Sequence, residues 1–459
     1  MVCAIIEAPL TNVTTTECHY PGLTSKENGT TERLHIRKDS IMRRIKFVVK
    51  PNELLMFIAI AIFIFRDFAK VFLGHVEIDG IKYSFVPYTA SSIYLAELVA
   101  VFLFSLSLIT TPKKPLPKRA VYEMGTVVLL TLFWTAHSFF TRSGYSLTTM
   151  ESTSKTICIA MFAILIGYNE TFWNWFKKYI PIMALLYLSA TFGWVIYSYM
   201  KGMISLYSNQ SPYWMLYSTA FWLFSYCLLC WEENKTTSNA IILIMMILNI
   251  TIVAFTISRG WLIQTIVLYI IFFYTNKQVG RRNKRRLAVL FFLLMAFGIY
   301  MIRDDLLKAI ISYITKFETS QSRSTQYHDF FSQVTVFDLL IGKGEYAYYS
   351  YKNNPYYLYI DNSYLYYSFH FGIIFSAIMF IMPIREALKS LKQKARSQEA
   401  NIGYILLLWV AALLGVSVFC AGYEIGLRMI FIFTLIGRIM HVQTIQPSDF
   451  PVEYYSKTA

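Results

Sequence analysis

Long apolar runs alternate with short polar segments along most of the chain. Each run approaches or exceeds about 18 nearly uncharged residues, the length that a helix needs to cross roughly 30 Å of hydrocarbon. We therefore expect an all-α integral membrane protein with about twelve transmembrane helices. The predicted spans are 54–74, 91–110, 121–140, 154–168, 179–200, 213–231, 239–257, 261–275, 287–302, 363–383, 402–421 and 423–441. The fourth run is short and could instead be re-entrant.

The composition agrees with this pattern. The 459 residues are 56% hydrophobic and 15% charged, with a mean hydropathy of +0.45. A soluble protein of this length would carry far more charge on its surfaces. The net charge of +15 is not concentrated on one face of a soluble domain. We interpret the positive charge as the result of basic residues on the cytoplasmic side, where they contact an anionic inner leaflet. It does not indicate nucleic-acid binding.

Basic residues predict the orientation of the spans. With a cytoplasmic N-terminus, the basic stretches at 36–50 and 277–286 both lie inside, whereas the reverse orientation would carry KQVGRRNKRR across the membrane. Residues 1–41 are polar and aperiodic, which predicts a disordered tail, and Met42 opens a more typical basic start to a first span. The predicted regions are a basic, disordered cytoplasmic tail (1–50), nine transmembrane helices (51–302), a large extracytoplasmic loop (303–362), three more transmembrane helices (363–441) and a cytoplasmic tail (442–459).

The predicted outer loops are very uneven in length. Most are short, but residues 303–362 form a loop of roughly sixty residues, and such loops are usually functional or disordered. This one opens with the amphipathic stretch DLLKAIISYITKF and closes with a row of tyrosines, which predicts short helices on the outer face. Tyrosine is enriched at membrane interfaces, because its ring is apolar and its hydroxyl is polar, and this explains most of these tyrosines. Asp361 and Asn362 end the loop at the predicted water–lipid boundary.

Several charged residues on the outer side are candidates for function, each with a simpler alternative. Arg259, in TISRGW between the seventh and eighth spans, is either a functional cation or an anchor that reaches the headgroups. Arg323 is either functional or an ordinary loop arginine. Arg428 follows Glu424 by four residues, so the two could pair within one helix, but an arginine inside a span is itself a functional candidate.

Weaker candidates complete this set. His328, beside Asp329, is either a proton acceptor or an ordinary polar loop residue. Arg66 with Asp67, and His137 with Arg142, lie near the predicted outer ends of helices. The CxxC pair Cys227–Cys230 lies within a span, where packing is its expected role. No outer cluster of His, Asp and Glu has ligand spacing, and Asp304–Asp305 point to different sides of a helix, so we expect neither a metal nor a cofactor.

Three motifs follow one another in a specific order. TISRG (256–260) precedes the long loop, which contains Arg323 and then LLIGKG (339–344), and DNSYLYYSFHFGI (361–373) opens the next span. In order, spacing and side of the membrane, they resemble the O-antigen ligase/polymerase family, and most closely its Wzy-type polymerases of surface-polysaccharide repeat units. The resemblance covers roughly residues 245–380.

The resemblance implies a membrane glycosyltransferase with a GT-C-like architecture. Such an enzyme transfers a growing glycan from undecaprenyl diphosphate to the next lipid-linked repeat unit, on the outer face of the plasma (inner) membrane. The glycan could be O-antigen, capsule or exopolysaccharide. Membrane lipid, a flippase and a chain-length regulator of the same pathway are the implied partners.

The resemblance also implies residue roles. Arg259 and Arg323 would hold the donor's diphosphate, because a guanidinium keeps its charge and offers two parallel donors to phosphate oxygens. Asp361 would be the general base, with its pKa raised by a partly apolar site. Ligase-like members usually have His at this position, so Asp361 favours a polymerase. Asn362 would cap the tenth span or bind substrate. The further substrate-binding candidates are Arg428, His328 and Tyr364.

Two alternatives stay open. A ligase of the same family would move finished polymer to another acceptor. A flippase for lipid-linked oligosaccharides could also have about twelve spans, but alternating access usually rests on two related halves with polar groups near the midplane. The sequence shows no evident half-repeat, and its polar candidates gather at the predicted outer rim.

Overall fold

A computed structural model describes the chain from Lys50 to Thr444 with gaps, and the described part is predominantly helical. The described residues are 50–72, 75–78, 81–84, 90–110, 115–141, 152–200, 213–230, 239–256, 259–275, 289, 322–344, 347–352, 354–357, 360, 362–392, 398–413 and 427–444. Asp361, Arg142 and Glu424 lie outside them, as do Asp304 and Asp305.

The helices follow the apolar runs. The first eight are α1 (Pro51–Phe72), α2 (Ala90–Ile109), α3 (Lys118–Thr141), α4 (Ser152–Tyr168), α5 (Glu170–Met200), α6 (Tyr213–Leu229), α7 (Asn239–Thr256) and α8 (Arg259–Thr275). They are followed by α9 (Ser322–Gln333), α10 (Val336–Ile341), α11 (Ser363–Phe371), α12 (Ile373–Lys392), a 3-10 turn (Gln398–Asn401), α13 (Ile402–Ala411) and α14 (Leu427–Thr444). Each predicted span except the ninth overlaps at least one of these helices, and the ninth, 287–302, lies outside the described residues apart from Val289.

The predicted helical class is thus confirmed, whereas the number of membrane crossings stays a prediction. Within the described ranges, one helical stretch, Glu170–Tyr197, is long and apolar enough to cross a membrane by length and composition. Shorter apolar stretches occur at Ala96–Ile109, Ile157–Tyr168, Leu216–Leu229, Ala240–Val253, Trp261–Thr275 and Ile402–Ala411.

Two antiparallel hairpins accompany the helices. β1 (His75–Ile78) pairs with β2 (Ile81–Ser84), and β3 (Tyr349–Tyr351) pairs with β4 (Asn354–Tyr357). The second hairpin corrects the expectation of helices alone in the long loop. Aromatic residues favour strands, and the two tyrosines at the ends of β3 are buried while Ser350 between them is exposed, the alternation that a strand produces.

The tenth apolar run is not one continuous helix. Gly372 adopts φ +91° and ends α11, and α12 begins at the next residue. Glycine is the residue that tolerates this positive φ, which is strained for residues with a side chain. The predicted span over 363–383 therefore contains a helix break at Gly372, and its crossing of the membrane stays a prediction.

Helices α4 and α14 approach each other closely through two glycines. A Cβ atom built on Gly167 would overlap the backbone of Thr434, and one built on Gly437 would overlap the backbone of Ile164. Small residues at such crossings let helix backbones pack directly against each other. This close contact determines how α14 packs against α4.

Ion pairs join helix ends on the predicted inner side. Arg385 of α12 forms a bidentate pair with Glu123 of α3, with Nη2 2.7 Å from Oε2. Glu170, at the start of α5, accepts a hydrogen bond from Nη1 of Arg438 and lies 3.0 Å from Nε2 of His441, and both partners are on α14. The C-terminal part of α14 is therefore held by a carboxylate from another helix.

Candidate functional site

Part of the predicted outer loop folds around an aromatic cluster. The rings of Phe330 on α9, Tyr349 on β3 and Phe369 on α11 meet edge to face, with both other centroids 5.2 Å from that of Phe330. These rings belong to a small hydrophobic core, which we call the aromatic cluster. Its buried members are Phe330, Val334, Ala347, Tyr349, Tyr351, Ile360 and Phe369. The loop therefore folds onto α11 and shares a core with it.

The side-chain amide of Gln333 fixes the hairpin against α9. Its Nε2 donates to the carbonyl of Ser350 and its Oε1 accepts from the amide of Ser350, both at 2.8 Å. The amide thus acts as one more rung of a strand ladder. This contact connects the end of α9 to β3.

The motif LLIGKG lies directly on the end of α11. The amide of Lys343 donates to the carbonyl of Phe369 at 2.8 Å, and the amide of Gly344 donates to the carbonyl of His370 at 3.1 Å. The last carbonyls of a helix have no hydrogen-bond donor within the helix. The amides of Lys343 and Gly344 therefore satisfy two carbonyls that the helix itself leaves unpaired. The Nδ1 of His370 lies 2.9 Å from the carbonyl of Gly344 and must carry the proton there. We call residues 342–344 with 369–372 the glycine clasp.

The glycine clasp also lies against the C-terminal part of α3. A Cβ atom built on Gly344 would lie 3.4 Å from Cε3 of Trp134, 3.5 Å from Oγ of Ser138 and 3.7 Å from Nδ1 of His137. His137, a weaker candidate from sequence, is thus brought beside the motif. Nothing in the sequence spacing between α3 and LLIGKG indicated this contact.

Asn362 caps α11. Its Oδ1 accepts from the amides of Tyr364 at 2.9 Å and Leu365 at 3.3 Å. This is the cap predicted from sequence, and it satisfies the first amides of the helix. The half-buried ring of Tyr364 stacks on Phe380 of α12. Asp361, the predicted base, precedes the cap but lies outside the described residues.

α10 is a short, capped helix between α9 and the glycine clasp. Thr335 and Asp338 make a reciprocal capping box, and Nζ of Lys343 lies 3.4 Å from Oδ2 of Asp338. Burial raises the pKa of Asp338, but the hydrogen bonds from Thr335 and the charge of Lys343 outweigh it, so the pKa lies below its usual value. The apolar side chains of α10 are largely exposed.

α9 carries two of the candidates from sequence. The backbone of Arg323 lies in its first turn, and its side chain is not among the described groups. His328 is exposed, whereas Phe330, two residues later, is buried in the aromatic cluster. His328 therefore points away from that cluster, toward the open side of α9.

A second group of polar residues is buried between α1, α2, α5 and α14. Nε of Arg66 donates to Oε1 of Glu97, and Nη1 of Arg66 donates to Oδ1 of Asp67 at 3.2 Å. The other carboxylate oxygen of Asp67 accepts from the hydroxyl of Tyr187 at 2.8 Å and from the amide of Leu427 at 3.2 Å. We call these residues the buried charge cluster. Glu97 and Tyr187 were not predicted as site residues from sequence, although a carboxylate inside an apolar run indicates a possible functional residue.

Arg428 lies next to this cluster. It is 8% exposed, and its Nη1 donates to Oγ of Ser218 on α6 at 3.0 Å. The neighbouring Tyr217 packs edge-on against Trp261 of α8, with ring centroids 4.9 Å apart. Arg259 opens α8 two residues before Trp261, although its side chain is not among those described. The structure thus brings the starts of the helices that carry Arg259 and Arg428 to the same end of α6.

Two further observations bear on chemistry. In the described ranges, no group of three or more His, Cys, Asp and Glu side chains could hold a metal ion. Cys227 and Cys230 are free thiols and are buried in the packed core.

The chain matches no known protein-family profile, no curated protein and no solved structure.

Proposed function

We propose that this protein is a membrane glycosyltransferase that polymerises oligosaccharide repeat units linked to undecaprenyl diphosphate. It would transfer the growing glycan from its lipid carrier to the next lipid-linked unit on the outer face of the plasma membrane. O-antigen, capsule and exopolysaccharide are the candidate products.

The observation that carries this proposal is the glycine clasp. Two of the three segments that resemble the polymerase family, LLIGKG and DNSYLYYSFHFGI, are joined by backbone hydrogen bonds. They are separated in the chain by the β3–β4 hairpin, so their contact is a property of the fold and not of their order. The contact supports reading the two motifs as one site.

The chemistry of the proposed reaction explains the residue types. The leaving group is a lipid diphosphate whose negative charge grows as the glycosidic bond breaks. Arg259 and Arg323 would stabilise that charge without reorganisation. Asp361 would take the proton of the attacking sugar hydroxyl. Asn362, the residue that follows Asp361, caps the first turn of α11.

Exposed apolar side chains on several helices support a location in the membrane. Large apolar residues with more than half of their surface exposed include Phe65, Phe102, Ile109, Leu129, Phe140, Ile182, Ile270 and Ile374. Water is a poor solvent for so many of these side chains, at about 25 cal/mol per Å² of apolar surface. Lipid chains would cover them at no such cost.

Deletion of the gene in its native strain tests the proposal. We expect single repeat units on the surface glycan, with long chains restored by the intact gene on a plasmid. Unattached long chains would instead indicate a ligase, and repeat units trapped inside the cell would indicate a flippase. Either of the last two results would overturn the proposal.

A further inference from the structure

We propose that the exposed side of the β3–β4 hairpin binds the saccharide of the lipid-linked substrate, with sugar rings stacked on Tyr348 and Tyr356. We call these two side chains the tyrosine platform. The inference rests on the proposed function, because it takes an oligosaccharide as the ligand. It goes further by assigning a sugar-binding surface that lies outside the three motifs.

The two sides of the hairpin have different environments. Residues 347–352 alternate strictly between buried and exposed positions. Tyr349 and Tyr351 belong to the aromatic cluster, whereas Tyr348, directly before β3, is 47% exposed. Tyr356 on β4 is 66% exposed. Successive side chains of a strand point to opposite faces, so packing of the aromatic cluster explains the buried tyrosines but not the exposed pair.

The exposed rings contact each other and leave open ring surface. The ring centroids of Tyr348 and Tyr356 are 5.0 Å apart and their planes meet at 69°, an edge-to-face arrangement. Such a pair uses only one ring face, so the other faces stay available at the surface. A tyrosine side chain is rigid and amphipathic, with only two side-chain torsions to order when a ligand binds. The apolar C–H face of a sugar ring can lie on it while the sugar hydroxyls reach polar groups at the edge.

The backbone that carries the tyrosine platform is held in place before any ligand binds. Oδ1 of Asn354 accepts from the amide of Tyr356 at 2.9 Å. β3 lies between β4 on one edge and the side-chain amide of Gln333 on the other, which bonds to the backbone of Ser350. A surface that is ordered in advance loses less conformational entropy on binding.

The polar neighbours of the tyrosine platform favour a saccharide over the hydrocarbon of lipid. Ser350 follows Tyr348 by two residues and Asn354 precedes Tyr356 by two, and both polar residues are exposed. On α10, by contrast, the large exposed side chains, such as Phe337, are apolar. Contact with hydrocarbon requires no hydrogen-bonding groups, whereas sugar hydroxyls lose free energy if they are covered without a partner.

A binding experiment tests the inference. The full chain is reconstituted in lipid nanodiscs, and the probe is a short oligosaccharide made by partial acid hydrolysis of the native strain's own surface polysaccharide. Saturation-transfer difference NMR gives its dissociation constant for the wild type and for variants of the tyrosine platform. We expect Tyr348→Ala and Tyr356→Ala each to weaken binding at least about fivefold, because each removes a stacking face.

Two further variants separate stacking from simple apolar cover. Tyr356→Phe keeps the flat ring and should stay within about twofold of the wild type, by the same stacking argument. Tyr356→Leu keeps apolar surface without a ring and should weaken binding as much as Tyr356→Ala. If Tyr356→Ala does not fold, Tyr348→Ala tests the tyrosine platform from its other ring.

Tyr122→Ala is the matched control. Tyr122 is 73% exposed, but it lies near the start of α3, on the predicted inner side. Its loss should leave the dissociation constant within about twofold of the wild type, since distant sites act independently. Melting temperatures of all variants show which of them are folded.

Several results would overturn the inference. Wild-type affinity in either folded alanine variant or in Tyr356→Leu would show that the rings do not stack on sugar. A loss in Tyr356→Phe or Tyr122→Ala as large as that in Tyr356→Ala would have the same consequence, as would a wild-type protein that does not bind the probe. Surface glycan of normal length in the deletion strain would instead contradict the proposed function. The binding comparison does not depend on that result, because its probe comes from finished polysaccharide and requires no turnover.

Discussion

Gly342 and Gly372 lie back to back, and neither position has room for a side chain. A Cβ atom on Gly372 would come within 2.5 Å of the carbonyl oxygen of Ile341, and one on Gly342 would come within 2.8 Å of the amide nitrogen of Gly372. Both glycines also have positive φ, at 96° and 91°. The glycine clasp therefore depends on the absence of two side chains.

Gly342→Ala should open the glycine clasp. Alanine disfavours the left-handed region and would press on the backbone of α11, so we expect a loss of at least about 1–2 kcal/mol in stability. Thermal unfolding of the purified protein measures the loss, and complementation of the deletion strain should show shortened or absent polymer. Gly125→Ala is the control, since a Cβ atom there has nothing within 4 Å. Equal melting temperatures for the two variants would contradict the packing.

Gly437→Ala should separate α14 from α4. The added methyl group would meet the backbone of Ile164, which cannot rotate away as a side chain could. Overpacking of this kind costs about 1–3 kcal/mol. Gly193→Ala in α5 is the matched control, because a Cβ atom there also has nothing within 4 Å and alanine is the better helix former. The comparison uses melting temperatures, and an unchanged value for Gly437→Ala would argue against the close crossing.

Substitutions at Asn362 separate its two predicted roles. Asn362→Ala removes the cap of α11 and should cost about 1 kcal/mol. Asn362→Ser and Asn362→Asp both retain an oxygen that can accept from the amides of Tyr364 and Leu365. If capping is the whole role, these two variants should restore polymer length in complementation. Restored stability without restored polymer would show that the amide also binds substrate.

Arg259→Lys keeps the charge but loses the planar pair of donors. If Arg259 holds a diphosphate through two parallel hydrogen bonds, the variant should lose most polymerisation, by about tenfold or more. The length distribution of surface glycan in the complemented strain measures this. Arg119→Lys, at an exposed position of α3, is the control and should behave as the wild type. Full-length polymer from Arg259→Lys would contradict the proposal that Arg259 binds the diphosphate.

The capping box of α10 should give a local dependence on pH. The folded-state pKa of Asp338 is lowered, so its stabilisation is present above the unfolded pKa and is lost as pH falls through the folded value. Asp338→Asn should therefore melt below the wild type at pH 7, and the difference should shrink as the pH approaches 3. Hydrogen exchange of the amides in α10 measures the local effect. A difference that stays constant with pH would contradict the assignment.

The sequence predicted most of the helices because an apolar run long enough to span a bilayer has few other stable conformations. The runs at 213–231 and 261–275 match α6 and α8 almost residue for residue. The cap at Asn362 was also predictable, since a capping residue acts on the turn that follows it.

Contacts between distant residues explain what the sequence did not predict. The break at Gly372 depends on Gly342, and glycine within an apolar run is by itself no reason to end a helix. The β3–β4 hairpin is held by Gln333 from outside its strands. Asp67 and Leu427 are separated by most of the chain, so no local pattern could have paired them.

The shared core of the loop and α11 has a practical consequence for engineering. Phe369 belongs to the aromatic cluster, and the carbonyls of Phe369 and His370 are satisfied by Lys343 and Gly344. If the loop were grafted into another protein without α11, its hydrophobic core would lack Phe369 and would be incomplete. Chimeras that exchange this loop should exchange residues 322–372 as a single segment.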